Sequence, residues 1–162
     1  MVATTGAATF GGVTRAEQFA PLTHDVSAKW SKFGNWEREY FPTLVGLRVE
    51  EVRTDYCRMR MPFRDALEQP AGVVHGGAIA TLLDSVVVPA VGCAYPADYR
   101  FSTVDMHVQY LSALVREDAV AEGWVVRRGR TTVFCEAEVV GAQSGRVVAR
   151  SLLTYNVSPP RT

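Results

Sequence analysis

Residues 69–94 read QPAGVVHGGAIATLLDSVVVPAVGCA, and the folding of this stretch decides the architecture of the chain. His75-Gly76-Gly77 stands where a loop becomes a helix. Glycine permits a tight turn there, and Ile79, Leu82, Leu83 and Val86 follow at α-helical spacing. Between Gly76 and Ala94 the helix carries a single charge, Asp84, so it must be covered on most sides. Pro89 is expected to end or kink it.

On both sides of this helix the apolar period falls to two. Upstream, GLRVEEVR (46–53) and YCRMRMPF (56–63) read as strands, with Cys57, Met59 and Met61 on one face and Arg58 and Arg60 on the other. RDALEQPAG (64–72) reads as the loop between strand and helix. Downstream come STVDMHVQYL (102–111), AVAEGWVVRR (119–128), TTVFCEAEVV (131–140) and RVVARSLLTYNV (146–157). The second and third of these form a hairpin turning near Gly129, and Gln143-Ser144-Gly145 turns into the last. In the first, simple alternation puts Val104, Met106, Val108 and Tyr110 on one face. Thr103, Asp105, His107 and Gln109 then share the other. The order β-β-α-β-β-β-β is that of an α+β domain, a curved antiparallel sheet wrapped around one long central helix.

The first forty residues follow a different pattern. Residues 1–13 are small and glycine-bearing and read as a frayed arm. Thr14-Arg15-Ala16-Glu17 fits a capping box, and Pro21 keeps the helix it opens short. Trp30, Phe33, Trp36 and Tyr40 recur at three- and four-residue spacing, which predicts a helical patch from about Ala28 to Tyr40, or two short helices, ending at Pro42. The organisation is therefore an arm over 1–41, one domain over 42–157 and a tail over 158–162.

Composition narrows the function. With 162 residues, 48% apolar and 21% charged, the chain reads as one globular domain that buries about 69% of its extended surface. Seventeen basic and seventeen acidic residues cancel, which excludes a strong global field for nucleic acid or an anionic membrane while leaving room for a local basic patch. MVATTGAATFGG lacks the basic and apolar regions of a secretory signal. The longest uncharged apolar stretch, Ser85 to Ala97, holds two prolines and falls well short of the about 20 residues of a membrane helix. Cys57, Cys93 and Cys135 are odd in number and show no CxxC spacing, so neither a metal site nor a disulfide framework is expected, and a cytoplasmic location is.

Three places could carry chemistry. At His75-Gly76-Gly77 the first-turn amides and the positive helix end could polarise a carbonyl, or the motif could be a tight turn with a satisfied histidine. Asp84 is costly on an apolar helix unless paired or functional; the alternative is an aspartate on the solvent side. It lies about 12 Å of rise beyond Gly76 and about 80° off that residue's face, so the two serve one site more easily from different subunits. Arg127-Arg128-Gly129-Arg130 is either a seat for phosphates or a solvated turn. Asp105 and His107 have no placed serine or cysteine beside them and G-x-S-x-G is absent, which argues against a hydrolase triad. Neither GxGxxG nor a P-loop occurs.

Together these residues make the chain resemble the hotdog-fold thioesterases of the PaaI-like branch of the 4-hydroxybenzoyl-CoA thioesterase superfamily. The resemblance spans about residues 42–157. It rests on Gln69-Pro70-Ala71-Gly72-Val73-Val74-His75-Gly76-Gly77, on an acid nine residues after the histidine at Asp84, and on the strand S-T-V-D-M-H-V-Q-Y. It implies hydrolysis of an acyl-CoA or acyl-carrier-protein thioester to free acid and thiol. Asp84 would be general base or nucleophile, the Gly76 amide would bind the thioester carbonyl, and Gln69 would position that carbonyl or the water. His75 would orient the loop, Thr103 would sit near the water, and Arg128 and Arg130 would touch the nucleotide or pantetheine end of coenzyme A. The resemblance implies no metal, no cofactor beyond coenzyme A as part of the substrate, and a homodimer with composite sites that often doubles to a homotetramer. Two positions depart from the pattern: Val88 replaces a threonine used by some relatives, and Gln69 a commoner asparagine. The rival readings are a hotdog enoyl-thioester hydratase or dehydratase, and a non-catalytic acyl-CoA-binding or regulatory domain.

Overall fold

The computed structural model describes residues 9, 10 and 13–160. Most of the arm expected to fray over 1–13 lies outside that range, as do the last two tail residues; Thr9–Phe10 and Val13–Thr14 pair as a short ribbon. The Glu17 carboxylate accepts from the Thr14 amide at 2.7 Å and from its hydroxyl at 3.0 Å, opening the 3-10 turn Ala16–Gln18. Helix α1 (His24–Trp30) and helix α2 (Phe41–Val45) follow. The helical patch expected from Ala28 to Tyr40 is therefore corrected. Gly34, at φ 86, turns the chain out of the right-handed helix, and its backbone passes so close to Leu47 that a Cβ would meet the Leu47 carbonyl oxygen at 2.4 Å. Pro42 does not terminate a helix but sits in the first turn of α2, where its missing N–H costs nothing.

Strands β1 (Arg48–Arg53) and β2 (Tyr56–Met61), helix α3 (Gly76–Gly92), and strands β3 (Arg100–Tyr110), β4 (Ala119–Arg128), β5 (Thr132–Gly141) and β6 (Val147–Ser158) complete the domain. The six strands form one antiparallel sheet in the order β1-β2-β4-β5-β6-β3, so the strand that follows α3 in sequence lies at the far edge. The loop expected over 64–72 contains the 3-10 turn Asp65–Leu67 and a small ribbon pairing Glu68–Gln69 with Val73–Val74. This is the α+β hotdog architecture, with α3 packed against the inner face of the curved sheet.

Burial of α3 is the main stabilising contact. Leu82, Leu83, Val86 and Val87 are fully buried, each worth about 1.5–3 kcal/mol relative to exposure. They pack in one core with Cys57, Met59 and Met61 of β2 and Cys135 of β5. Gly123 on β4 makes the close approach possible, since a Cβ there would stand 2.8 Å from methyls of both Val86 and Val87. Pro89 neither ends nor starts a turn but lies inside α3, which continues to Gly92.

Simple alternation fails on β3. Thr154 of β6 pairs with Asp105, but its neighbour Tyr155 pairs with Thr103, so Val104 is the extra residue of a bulge. The bulge reverses parity. Phe101 before it and Met106 and Val108 after it pack against the core, while Val104 is thrown out at 65% exposure. Val104 thus leaves the face of Met106 and Val108, and Thr103 leaves the face of Asp105, His107 and Gln109.

The outer face of the sheet is partly covered by the N-terminal segment. Arg15 lies over the Trp124 ring at 4.0 Å, and Phe19 stacks on Tyr56 at 5.2 Å. Beside them is a cleft of about 420 Å³ lined by Arg15, His107, Gln109, Trp124, Glu138 and Leu152. Among the described residues no helix is long and apolar enough to cross a membrane.

Candidate active site

The loop leading into α3 is pinned at both ends. The Val74 amide donates to the Leu114 carbonyl at 2.9 Å and the His75 amide to that of Leu67 at 2.8 Å, so the chain enters the helix at a fixed angle. Gln69 lies half-buried in the small ribbon, and its carbonyl accepts from Gly72, whose φ of 75 makes the turn. His75 is the helix N-cap. Its Nδ1 accepts from the Gly77 amide at 2.8 Å, which places the ring proton of a neutral His75 on Nε2. The Ala78 amide returns to the His75 carbonyl at 2.9 Å. The Gly76 amide is left without an acceptor among the described residues, at the positive end of α3. Close by, the Tyr110 hydroxyl donates to the Gly76 carbonyl at 2.9 Å, and a Cβ on Gly76 would meet that ring at 3.3 Å.

Two turns further on, Asp84 is half-buried between Leu83 and Ser85, both buried. It is not a solvent-side aspartate. Thr103 donates to its Oδ1 at 2.8 Å, and the Tyr155 hydroxyl lies 2.9 Å from the same oxygen and 2.9 Å from the Asp84 carbonyl. The bulge at Val104 is what turns Thr103 toward α3. Strand β3 thus runs back along the helix and touches it at both ends of the candidate site, at Asp84 through Thr103 and at Gly76 through Tyr110.

The other candidates separate. Arg128 is committed elsewhere: its guanidinium donates to Asp55 at 2.8 Å and to the Ala90 carbonyl at 3.0 Å, tying the β1–β2 turn to the last turn of α3. Its Nη1 is buried without a partner among the described residues. Arg130 is exposed on the β4–β5 hairpin. Asp105 and His107 are exposed on β3, and His107 lines the outer-face cleft, across the sheet from Asp84. The buried thiols are not nucleophiles at neutral pH, since burial pushes Cys57 well up and Cys135 up to about 12.

Sequence reasoning missed Tyr110 and Tyr155. Both read as members of a strand; for Tyr155 the available signal was chemical, because a buried tyrosine hydroxyl has to find a partner, whereas Tyr110 is exposed and offered no such signal. Tyr155 is 2% exposed, and the partner it finds is Asp84.

Comparison with known proteins gives the family. A family model described as the thioesterase superfamily matches residues 71–148, a stretch that contains His75, Gly76, Asp84 and Thr103. Human acyl-coenzyme A thioesterase 13 is 32% identical over 135 residues, covering 82% of this chain and 92% of that protein. The chain belongs to the thioesterase superfamily. A second relative, a putative esterase of Halobacterium salinarum, is 35% identical over 103 residues, 60% of this chain and 68% of that protein. Among solved structures, a conserved protein of Pseudomonas aeruginosa matches with a TM-score of 0.70 at 26% identity, covering 75% of this chain and 95% of the other. A thioesterase family protein of Silicibacter pomeroyi shares the fold with a TM-score of 0.73 at 23% identity, covering 81% and 98%. The superfamily match begins after Gln69 and stops before Tyr155.

Proposed function

We propose that this superfamily member hydrolyses an acyl-CoA thioester, or the corresponding carrier-protein thioester, to the free acid and the thiol. The observation that carries the reading is a half-buried Asp84 held by two hydroxyls on a helix whose N-terminal Gly76 amide is unclaimed. The relatives named acyl-coenzyme A thioesterase 13 support the choice of substrate class.

In this reading the thioester carbonyl oxygen accepts from the Gly76 N–H, and the helix end stabilises the charge that develops there. Asp84 takes the proton of the attacking water, or attacks the carbonyl itself to give an anhydride that water then opens. In the first route collapse of the tetrahedral species expels the thiolate, which takes the proton that Asp84 drew from water; in the second the thiolate leaves as the anhydride forms and takes the proton released when water opens it. His75 keeps the loop in shape through Gly77, and Gln69 positions the carbonyl or the water. Neither a metal nor a redox cofactor enters these steps; coenzyme A arrives as part of the substrate.

Gly76 and Asp84 lie two turns apart on one helix, too far to serve one carbonyl. A homodimer formed across the long edge strand β3 would bring one protomer's Gly76 to its partner's Asp84, and two such dimers would make a homotetramer. Of the basic hairpin, Arg127 and Arg130 are exposed, and Arg130 is the one the resemblance assigns to the coenzyme A phosphates. Three unpaired thiols suit a reducing compartment, the cytoplasm.

The test is steady-state thiol release from phenylacetyl-, benzoyl-, acetyl-, hexanoyl- and palmitoyl-CoA by wild type and Asp84→Asn. Release by wild type that falls at least about a thousandfold in the variant supports the reading. Binding without turnover points to a regulatory domain, hydration of an enoyl-CoA with its thioester intact points to histidine-based hydratase chemistry, and thiol release that survives the substitution takes the catalytic role away from Asp84.

A further inference from the structure

We propose that Tyr155 is a positioning residue for Asp84 and that, together with Thr103, it assigns the two carboxylate oxygens, Oδ1 being held and Oδ2 left to react. This rests on the hydrolase reading above and adds to it the group that aims the acid.

The two donors converge because of strand register. Tyr155 and Thr103 are paired residues of β6 and β3, brought opposite one another by the bulge at Val104. Their hydroxyls lie 2.9 Å and 2.8 Å from the same atom, Asp84 Oδ1. A carboxylate oxygen has two lone-pair sites, so two O–H donors occupy Oδ1, whereas Oδ2 has no protein donor among the described residues. Tyr155 also lies 2.9 Å from the Asp84 carbonyl, so its single proton is shared between Oδ1 and the helix backbone, which limits rotation of the acid about its side-chain bonds.

Tyr155 can act only as a donor here. Burial first, and the neighbouring Asp84 charge next, push its phenol far above the ordinary value, so the proton stays on the ring oxygen. Cys135, which faces Tyr155 from β5, is likewise kept protonated by burial. The free oxygen Oδ2 is then the one that takes the water proton or attacks the carbonyl.

The experiment compares wild type, Tyr155→Phe, Thr103→Val and Asp84→Asn as full chains, measuring kcat and KM on the best CoA thioester from about pH 5 to about pH 9, with thermal unfolding in parallel. Tyr155→Phe keeps the ring and removes only the donor. Expected is a folded protein with KM within about twofold, kcat lower by about tenfold to a hundredfold, and an acid limb displaced to higher pH, because a lost donor favours the protonated acid. A Tyr155→Phe variant with wild-type kcat and an unmoved acid limb overturns the proposal while Asp84-dependent turnover stands. So does a kcat loss with a matching fall in thermal stability and an unmoved limb, which would mark a structural residue. Wild type that releases no thiol removes the hydrolase reading and this proposal with it, and Asp84→Asn that still releases thiol removes the catalytic role of Asp84 on which the proposal rests.

Discussion

Glu122 of β4 and Glu138 of β5 stand directly opposite one another across the sheet, and both are buried. Like charges in that position repel, and neither carboxylate is solvated well enough to screen the other. The pair persists because cations and a phenol surround it. Arg15 reaches Glu122 at 2.9 Å and Glu138 at 3.6 Å, Arg58 reaches Glu122 at 3.3 Å, Arg150 reaches Glu138 at 2.7 Å, and the Tyr56 hydroxyl donates to Glu122 at 2.8 Å. Among the described residues Arg15 alone touches both carboxylates, so the N-terminal segment clamps the outer face of the sheet.

Removing that clamp leaves two buried carboxylates short of a partner. Arg15→Ala is expected to cost about 3 kcal/mol in urea unfolding. The same substitution made on a Glu138→Gln background should cost clearly less, because one of the two charges it compensates is gone. Equal losses in both backgrounds would mean that Arg15 acts only through its packing on Trp124.

Acid sensitivity has an identifiable source on the same face. Burial alone would raise the Glu50 carboxyl, but hydrogen bonds from Arg58, at 2.9 Å, and from Arg60 outweigh it and hold Glu50 below its ordinary value of 4.5. A group lowered on folding stabilises the native state above its unfolded value, and that stabilisation fades as pH falls through the folded value. Glu50→Gln should therefore narrow the stability difference between pH 7 and acid and leave a flatter curve below about pH 4.5. A curve parallel to wild type in that window would show that other carboxylates carry the effect.

Close contact between α3 and the sheet depends on Gly123. An added methyl would meet Val86 and Val87 at 2.8 Å, on a strand and a helix that both have neighbours behind them. Gly123→Ala is expected to destabilise by about 1–3 kcal/mol in denaturant unfolding, although alanine suits a strand no worse than glycine does. Wild-type stability in this variant would mean that α3 can move outward at no cost.

Local chemistry settled a good part of this protein. The apolar spacing of Ile79, Leu82, Leu83 and Val86 makes a helix wherever it is placed, and the alternation of Cys57, Met59 and Met61 makes a strand with one buried face. The motif from Gln69 to Gly77, with Asp84 behind it, pointed to the candidate site because loop, cap and acid lie within a few helical turns of chain. The misread helix around Trp36 shows the limit of such periodicity, since aromatic spacing persisted while Gly34 turned the backbone away.

Tertiary structure decided the rest. Whether Thr103 faces α3 or solvent depends on the bulge at Val104, which exists only in the pairing of β3 with β6. Arg128 looked like a free cation of a basic hairpin until the fold brought Asp55 and the Ala90 carbonyl to it. Tyr155, 71 residues from Asp84, met the acid only when the last strand was laid beside β3. Periodicity reports which residues turn inward along one element; which side chain meets which across elements depends on register, and register is fixed by pairing between distant segments.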